Sequence, residues 1–115
     1  MSELSHKTCE ACRFDEPKAT DDEIKNFLDS CPRWTLHDDD GIQKLYQIYK
    51  FKNFESALVF TNTFAAIAKD EGHHPAILTE WGSVSITWWS HKIMGLHVND
   101  FIMCAKCDVA YSDIQ

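Results

Sequence analysis

The sequence predicts an α+β fold: a single domain in which helices pack on one face of a four-stranded antiparallel sheet. Two observations carry this prediction. Apolar residues recur at helical spacing in three separate stretches, and between them lie two pairs of short stretches with alternating apolar and polar residues. The resulting order is α-β-β-α-β-β-α. A chain of 115 residues is long enough for one hydrophobic core.

The folded domain is expected to span residues 20–115. An N-terminal arm over residues 1–19 precedes it, because that stretch carries no periodic apolar pattern. Thr20 and Glu23 have the spacing of a capping box, which predicts that the first helix begins there. Pro32 ends that helix, since proline cannot continue it.

The first pair of strands follows this helix. Trp34 and Leu36 alternate with polar residues, as in a short strand. The turn at 38–41 consists of three aspartates and a glycine, and the stretch 42–51 after it is rich in Ile, Leu and Tyr. Two alternating stretches joined by a short turn predict an antiparallel hairpin.

The longest helix is expected between Asn53, which can cap it, and Gly72, which suits a left-handed C-terminal position. Its predicted apolar stripe consists of Phe54, Ala57, Leu58, Thr61, Phe64, Ala65 and Ala68. Pro75 restricts His74 to an extended backbone, so the chain should leave this helix as a strand. The aromatic residues expected in the core are Trp34, Phe54, Phe60, Phe64 and Trp88.

The second pair of strands is predicted at 76–81 and 84–89, joined by a short turn. Asn99 or Asp100 is expected to cap the last helix, which follows this second hairpin.

Charge and composition exclude several classes of protein. The formal net charge is −7, so a phosphate backbone is repelled on average and no nucleic-acid partner is expected. No apolar run is long enough to span a membrane. The first residues carry no hydrophobic signal region, and the five cysteines are an odd number. A cytoplasmic location with reduced thiols is therefore predicted.

Three of the six histidines, His73, His74 and His91, are the strongest candidates for a functional site. If the last two strands pair as a hairpin, their outer ends meet, and His91 comes close to the other two. Imidazole can donate and accept a proton near neutral pH. Trp81 and Trp89 flank these residues, and such a pocket suits acid–base chemistry on a flat organic ring.

Other interpretations of these residues stay open. The histidines could be exposed loop residues, or they could hold a catalytic zinc ion. Cys9 and Cys12 form one C-x-x-C pair and Cys104 and Cys107 another, which together could hold a structural zinc ion. Buried thiols packed as small hydrophobic residues are the alternative.

A spaced set of residues over 69–100 carries a family resemblance. Its members are Lys69, His73, His74, Pro75, Trp81, His91, Gly95, Leu96 and Asp100. In this set the chain resembles the pterin-4a-carbinolamine dehydratases. The stretches 9–12, 51–54 and 87–91 resemble the bacterial branch of that family, which accompanies phenylalanine hydroxylase.

The resemblance implies an activity without a metal or redox cofactor. The family converts 4a-hydroxytetrahydropterin to quinonoid dihydropterin and water, a lyase step in tetrahydrobiopterin recycling. It implies that His73, His74 and His91 are the catalytic residues of a homodimer or homotetramer. The expected substrate contacts are Glu71, Pro75, Trp81, Trp89 and Ser90.

The chemistry of imidazole agrees with this activity. A hydroxide leaving group needs a proton, and the ring nitrogen that loses a proton needs a base. We expect His73 and His91 to exchange these protons and His74 to orient the hydroxyl. Asp100 either orients His91 or caps the last helix. The alternative function is a catalytically silent module with the same fold that binds a protein partner or regulates one.

Overall fold

A four-stranded antiparallel sheet and three long helices make up this computed structural model, which describes residues 2–6 and 18–114. The elements are α1 (Ser2–Ser5), α2 (Asp21–Ser30), β1 (Thr35–Asp39), β2 (Ile42–Lys50), α3 (Phe54–Glu71), β3 (Ala76–Glu80), β4 (Ser83–Trp88) and α4 (Val98–Ile114). The predicted α+β class and the order α-β-β-α-β-β-α are confirmed. The short helix α1, which no periodic pattern announced, precedes them.

Local capping sets the ends of the first two long helices. The Thr20 hydroxyl accepts a hydrogen bond from the Glu23 amide at 3.1 Å, and the Glu23 carboxylate accepts one from the Thr20 amide at 2.8 Å. Asn53 Oδ1 accepts from the Ser56 amide at 2.8 Å. Gly72 ends α3 with a left-handed φ of 68°. All of these caps are as predicted, because each depends on residues within four positions.

The strands lie in the order β1-β2-β4-β3, so β2 and β4 are central. Alternation along these two strands gives the sheet two unlike faces. The buried side chains beneath the helices are Leu45, Gln47, Tyr49, Val84, Ile86 and Trp88. The opposite side, here called the outer face, carries Tyr46, Ile48, Lys50, Ser83, Ser85 and Thr87, together with Ala76, Leu78 and Glu80 of β3.

The inward stripe of α3 differs from the predicted one. Phe54 is 46% exposed and Leu58 is 41% exposed, so the expectation that Phe54 fills the core is wrong. The buried positions are Ala57, Phe60, Phe64 and Ala68. Periodicity indicates that an 18-residue helix has an apolar stripe. How the helix is rotated about its own axis depends on the side chains of the sheet and of α4 that it packs against.

The start of α4 also differs from the prediction. The helix begins at Val98, and neither Asn99 nor Asp100 precedes it. His97 takes the capping role, because its Nδ1 accepts a hydrogen bond from the Asn99 amide at 3.1 Å. Imidazole is an uncommon cap. The usual capping preferences therefore predicted a cap two or three residues too late in the chain.

Described parts of the predicted N-terminal arm contact the domain. Lys106 Nζ on α4 donates a hydrogen bond to the Ser5 carbonyl at 2.8 Å. The Ala19 amide donates to the Leu96 carbonyl at 2.7 Å. Among the helices of the described residues, none has the length and apolar character needed to span a bilayer.

Candidate active site

The C-terminus of α3 presents His73 toward the core. The Gly72 amide donates to the Lys69 carbonyl at 3.1 Å, and the His73 amide donates to the Ala68 carbonyl at 3.2 Å. This pair of bonds reverses the chain at the helix end. The His73 side chain is buried as a result, with only 8% of the residue exposed.

Asp100 on α4 is the fixed point of the site. Its side chain is fully buried, and three donors reach the carboxylate. His73 Nε2 lies 2.7 Å from Oδ1, while the Ser90 hydroxyl donates to Oδ2 at 2.8 Å and the His97 amide donates to the same oxygen at 3.0 Å. A buried carboxyl group without hydrogen-bond partners would be strongly unfavourable, and these three contacts satisfy both oxygens of Asp100.

The contact with Asp100 determines which nitrogen of His73 stays available. An ionised carboxylate only accepts hydrogen bonds, and with Asp100 in that form Nε2 of His73 carries a proton. Nδ1 is then the nitrogen whose lone pair is left to exchange a proton with another molecule. The expected role of Asp100 toward His91 is wrong: the carboxylate contacts His73, and it also binds the first turn of α4 through the His97 amide.

Trp88 holds the plane of the His73 ring. The two rings are stacked, with centroids 5.2 Å apart and an interplanar angle of 22°. Trp88 Nε1 donates in turn to Cys107 Sγ at 3.4 Å, and both residues are fully buried. The imidazole is therefore held by a hydrogen bond at its edge and by an indole at its face.

A short closed loop carries His91. The Ser90 amide donates to the Gly95 carbonyl at 2.8 Å and the Gly95 amide donates back at 3.4 Å. Between them lies the 3-10 turn His91–Ile93, followed by Met94 with a left-handed φ of 51°. His91 is exposed and stacks on Trp89, with ring centroids 4.3 Å apart and an interplanar angle of 10°.

A lysine from β2 completes the stack around Trp89. Lys44 Nζ lies 4.1 Å from the centroid of the Trp89 ring and 2.8 Å from Asp39 Oδ2. The hydrogen bond from Lys44, with its positive charge, holds the pKa of the Asp39 carboxyl below its usual value. Such a cation is attracted to the face of an indole, so Lys44 helps to fix the ring on which His91 lies.

The β3–β4 hairpin brings these parts together. Ala76 pairs with Thr87, so the residues before Ala76 run beside those after Thr87. His73 and Ser90 meet at the same carboxylate, and His91 is the next residue after Ser90. His74 is exposed at this end of the hairpin.

One of the expected substrate contacts, Trp81, lies far from the histidines of its own chain. Trp81 is 70% exposed in the turn at the other end of the hairpin, six residues from Pro75. At the usual rise of a strand, that separation is about 20 Å, so within one copy Trp81 does not form a wall beside the histidines. The Glu71 carboxylate is directed at α4, where it lies 4.0 Å from Lys106 Nζ.

Ser90, expected as a substrate contact, and His97, which was not predicted to belong to the site, both bind the carboxylate of Asp100. Both donate to Asp100, and the Ser90 side chain is completely buried. A signal for His97 exists in the spacing His97-x-x-Asp100, since an acidic residue three positions after a cap often accepts from the amide of the cap.

The described residues contain no cluster of three or more histidine, cysteine or acidic side chains arranged to hold a metal ion. Cys104 and Cys107 are enclosed in the core, and burial raises the pKa of both thiols well above the usual value. A raised pKa disfavours the thiolate that zinc requires. Cys9 and Cys12, the other half of the predicted cysteine site, lie outside the described residues.

Comparison with known proteins shows which family and which solved structures this chain resembles. A family model described as pterin 4 alpha carbinolamine dehydratase matches residues 17–110. A structure described as a transcriptional coactivator/pterin dehydratase from Brucella melitensis is 25% identical with a TM-score of 0.74, over 83% of this chain and 99% of that one. A pterin dehydratase-like protein, described as a RuBisCO assembly factor in the alpha-carboxysome, has a TM-score of 0.58 at 19% identity. It covers 68% of this chain and 88% of its own, and at this identity the likeness concerns the fold alone.

Proposed function

Because the chain belongs to the pterin 4 alpha carbinolamine dehydratase family, we propose that it dehydrates 4a-hydroxytetrahydropterin to quinonoid dihydropterin and water. The observation that carries the proposal is the buried pair of His73 and Asp100, 2.7 Å apart, in a chain of this family. An imidazole oriented by a buried carboxylate is an arrangement suited to acid–base catalysis.

The reaction needs two proton transfers and no change of oxidation state. The bond between C4a and the hydroxyl oxygen breaks, and that oxygen leaves as water after it gains a proton. The neighbouring ring nitrogen loses its proton as the C=N bond forms. Imidazole groups can supply one proton and accept the other near neutral pH.

In this proposal His73 and His91 exchange the two protons, and His74 orients the hydroxyl. Asp100 supports the first transfer, because its negative charge stabilises the imidazolium that forms when His73 Nδ1 accepts a proton. The exposed stack of His91 and Trp89 supports a role for Trp89 in binding the flat pterin ring. Glu71 and Pro75 remain further proposed contacts. The Ser90 hydroxyl serves the substrate indirectly, through Asp100.

The proposed setting is tetrahydrobiopterin recycling in the cytoplasm by a homo-oligomer, in support of phenylalanine hydroxylase. The resemblance of the sequence to the bacterial branch of the family supports this setting.

The test is the decay of freshly generated 4a-hydroxytetrahydropterin, followed by ultraviolet absorbance. We expect the protein to accelerate the decay and His73→Ala to lower that acceleration by about 100-fold, the usual contribution of an acid–base group. His6→Ala is the matched control, since His6 is an exposed histidine just after α1, an element that contributes no residue to the candidate site.

The alternative is a partner-binding or regulatory module. The Brucella melitensis relative, described as both a coactivator and a dehydratase, makes this the natural second candidate. If the substrate decays no faster with the wild-type protein than in buffer, the dehydratase proposal is wrong and the alternative takes its place.

A further inference from the structure

Two residues just before α2 lie against the chain that leaves the loop carrying His91. They are Lys18 and Ala19, here called the strap. The Ala19 amide donates a hydrogen bond to the Leu96 carbonyl at 2.7 Å. The next residue, Thr20, is the N-cap of α2 and forms a capping box with it. Because α2 fixes the residue that follows the strap, the strap has a defined position beside the loop.

The aliphatic stem of Lys18 fills the place where Gly95 would carry a side chain. A Cβ atom on Gly95 would lie 2.9 Å from Lys18 Cδ, 3.1 Å from Cε and 3.4 Å from Cγ. Gly95 is buried and its φ lies outside the left-handed region, so the backbone itself does not require glycine there. Lys18 is exposed as a whole residue, and a lysine can cover an apolar surface with its stem while its ammonium group stays in water.

The loop beneath the strap contains a strained residue. Met94 has a φ of 51°, in the left-handed region that residues with a side chain rarely adopt. Ser90 and Gly95 pair through their main chains at the base of the loop, with one hydrogen bond of 2.8 Å and one of 3.4 Å. A strained conformation persists where the surrounding structure fixes it. The strap lies on Gly95, at the point where the strained turn meets this pair of hydrogen bonds.

Both ends of the loop are also anchored on the candidate active site. The Ser90 hydroxyl donates to Asp100 at 2.8 Å, and the amide of His97, two residues after Gly95, donates to the same carboxylate at 3.0 Å. These hydrogen bonds fix the ends of the loop. The conformation of the turn between the ends, which carries His91, then depends on what packs against it.

From these contacts we propose that Lys18 is a positioning residue for His91: its aliphatic stem, packed on Gly95, holds the loop in the conformation that stacks His91 on Trp89. The stem has this role rather than the ammonium group, because Cγ, Cδ and Cε are the atoms that approach Gly95. The consequence for catalysis rests on the proposed dehydratase function, whereas the effect on the loop does not.

Nuclear magnetic resonance of the His91 ring, assigned by its loss in His91→Ala, tests the effect on the loop. Protons over the face of an indole resonate upfield, and the stack on Trp89, with centroids 4.3 Å apart, puts the imidazole in that position. Lys18→Ala removes the stem, so the His91 signals should move downfield. Lys18→Met keeps an unbranched stem without the charge and should leave the signals in place.

Lys52→Ala is the matched control and should also leave the His91 signals in place. Lys52 is an exposed lysine directly before Asn53, the N-cap of α3, and it lies at the end of the sheet where Lys50 pairs with Ser83, away from His91. Signals that stay in place in Lys18→Ala, or that move equally in Lys18→Ala and Lys18→Met, overturn the proposal.

A second substitution tests the contact between the stem and the loop. Gly95→Ala places a methyl group where the stem lies, so it displaces either the stem or the loop, and the His91 signals should move downfield. In a chain that also carries Lys18→Ala, the methyl group enters the space that the stem has left. The effect of Gly95→Ala should therefore be smaller in that chain than in the wild-type chain, since residues in contact are not additive. Additive shifts overturn the contact.

Kinetics test the consequence for catalysis. Displacing a catalytic group by about 1 Å can cost about 100-fold, and for a loop whose ends stay anchored we expect Lys18→Ala to lower kcat by about 10-fold. KM should stay within about twofold, and Lys18→Met should restore kcat. An unchanged kcat in Lys18→Ala overturns the positioning role. If the dehydratase function itself is wrong, the wild-type protein is inactive, while the His91 signals still report whether the strap holds the loop.

Discussion

Two buried carboxylates on the same helix have different kinds of hydrogen-bond partners. Asp100 and Asp108 lie two turns apart on α4, both are buried, and each accepts three hydrogen bonds. Asp108 receives its hydrogen bonds from Trp34 Nε1 at 3.1 Å, Gln47 Nε2 at 3.0 Å and the Tyr49 hydroxyl at 2.5 Å. Among the donors to Asp100, one is the imidazole of His73.

The difference lies in whether the hydrogen-bond donors can exchange protons near neutral pH. Indole and amide groups do not titrate, and burial raises the pKa of Tyr49, so the three donors to Asp108 do not exchange protons near neutral pH. Burial also raises the pKa of Asp108 despite its three donors. The imidazole beside Asp100 can exchange protons through its second nitrogen. The comparison teaches that burial and hydrogen bonding alone do not indicate catalysis; the chemistry of the donor decides.

The largest effect on dehydratase activity is expected when the hydrogen bonds to Asp100 are broken. In Asp100→Asn an amide replaces a group that only accepts, and its N–H atoms face donors such as the His97 amide. His73 loses the negative charge that stabilises its imidazolium. We expect kcat for dehydration to fall by about 100-fold, the usual scale of acid–base assistance. A variant that keeps full activity with an unchanged circular dichroism spectrum would contradict the positioning role.

The matching change at Asp108 should affect stability instead. Asp108→Asn cannot accept from all three donors, so the free energy of unfolding should fall by about 1–3 kcal/mol. The pKa of Asp108 is raised on folding, so its contribution to stability is complete below the unfolded pKa and is lost as the pH rises through the native pKa. The deficit of the variant should therefore be larger at about pH 4.5 than at about pH 7.5, as measured by urea unfolding.

Measuring the activity of the Asp108 variant tests the same difference between the two carboxylates. The Asp108→Asn variant, assayed at a temperature where it is fully folded, should retain kcat within about twofold of wild type because its partners lie outside the site. A loss as large as that of Asp100→Asn would mean that the two networks are coupled through α4.

The smallest effect on activity is expected from a change at Lys44. Lys44→Met keeps the aliphatic stem but removes the cation near Trp89, an interaction worth about 0.5–1 kcal/mol at an exposed site. We expect kcat/KM to fall by about two- to fivefold, with a change in the fluorescence of the tryptophans. Asp39→Asn is the control, because it removes the ion pair and leaves the cation over the ring. Equal effects of both variants would assign the role to the ion pair.

Much of the fold could be predicted because its determinants are local. Thr20 with Glu23, and Gly72 after α3, act through hydrogen bonds between residues at most a few positions apart. The pairing of the last two strands was predictable from alternation and a short turn, and it was sufficient to bring the histidine stretches to one end of a hairpin.

Long-range packing accounts for what was missed. The exposure of Phe54, which was expected in the core, depends on how α3 is rotated about its axis against the sheet. The contact between His73 and Asp100 joins residues 27 positions apart and exists only because α4 passes beneath the end of the hairpin. The position of Trp81 follows from the length of β3, which carries it away from the histidines of its own chain.

By itself the sequence determined the order of the main elements and the caps of α2 and α3, because capping and periodicity are short-range properties of the chain. Only the tertiary structure decided which carboxylate contacts an imidazole and which one is bound by indole, amide and phenol donors. A buried charge must find its donors wherever the packed chain supplies them, and those donors come from distant parts of the sequence.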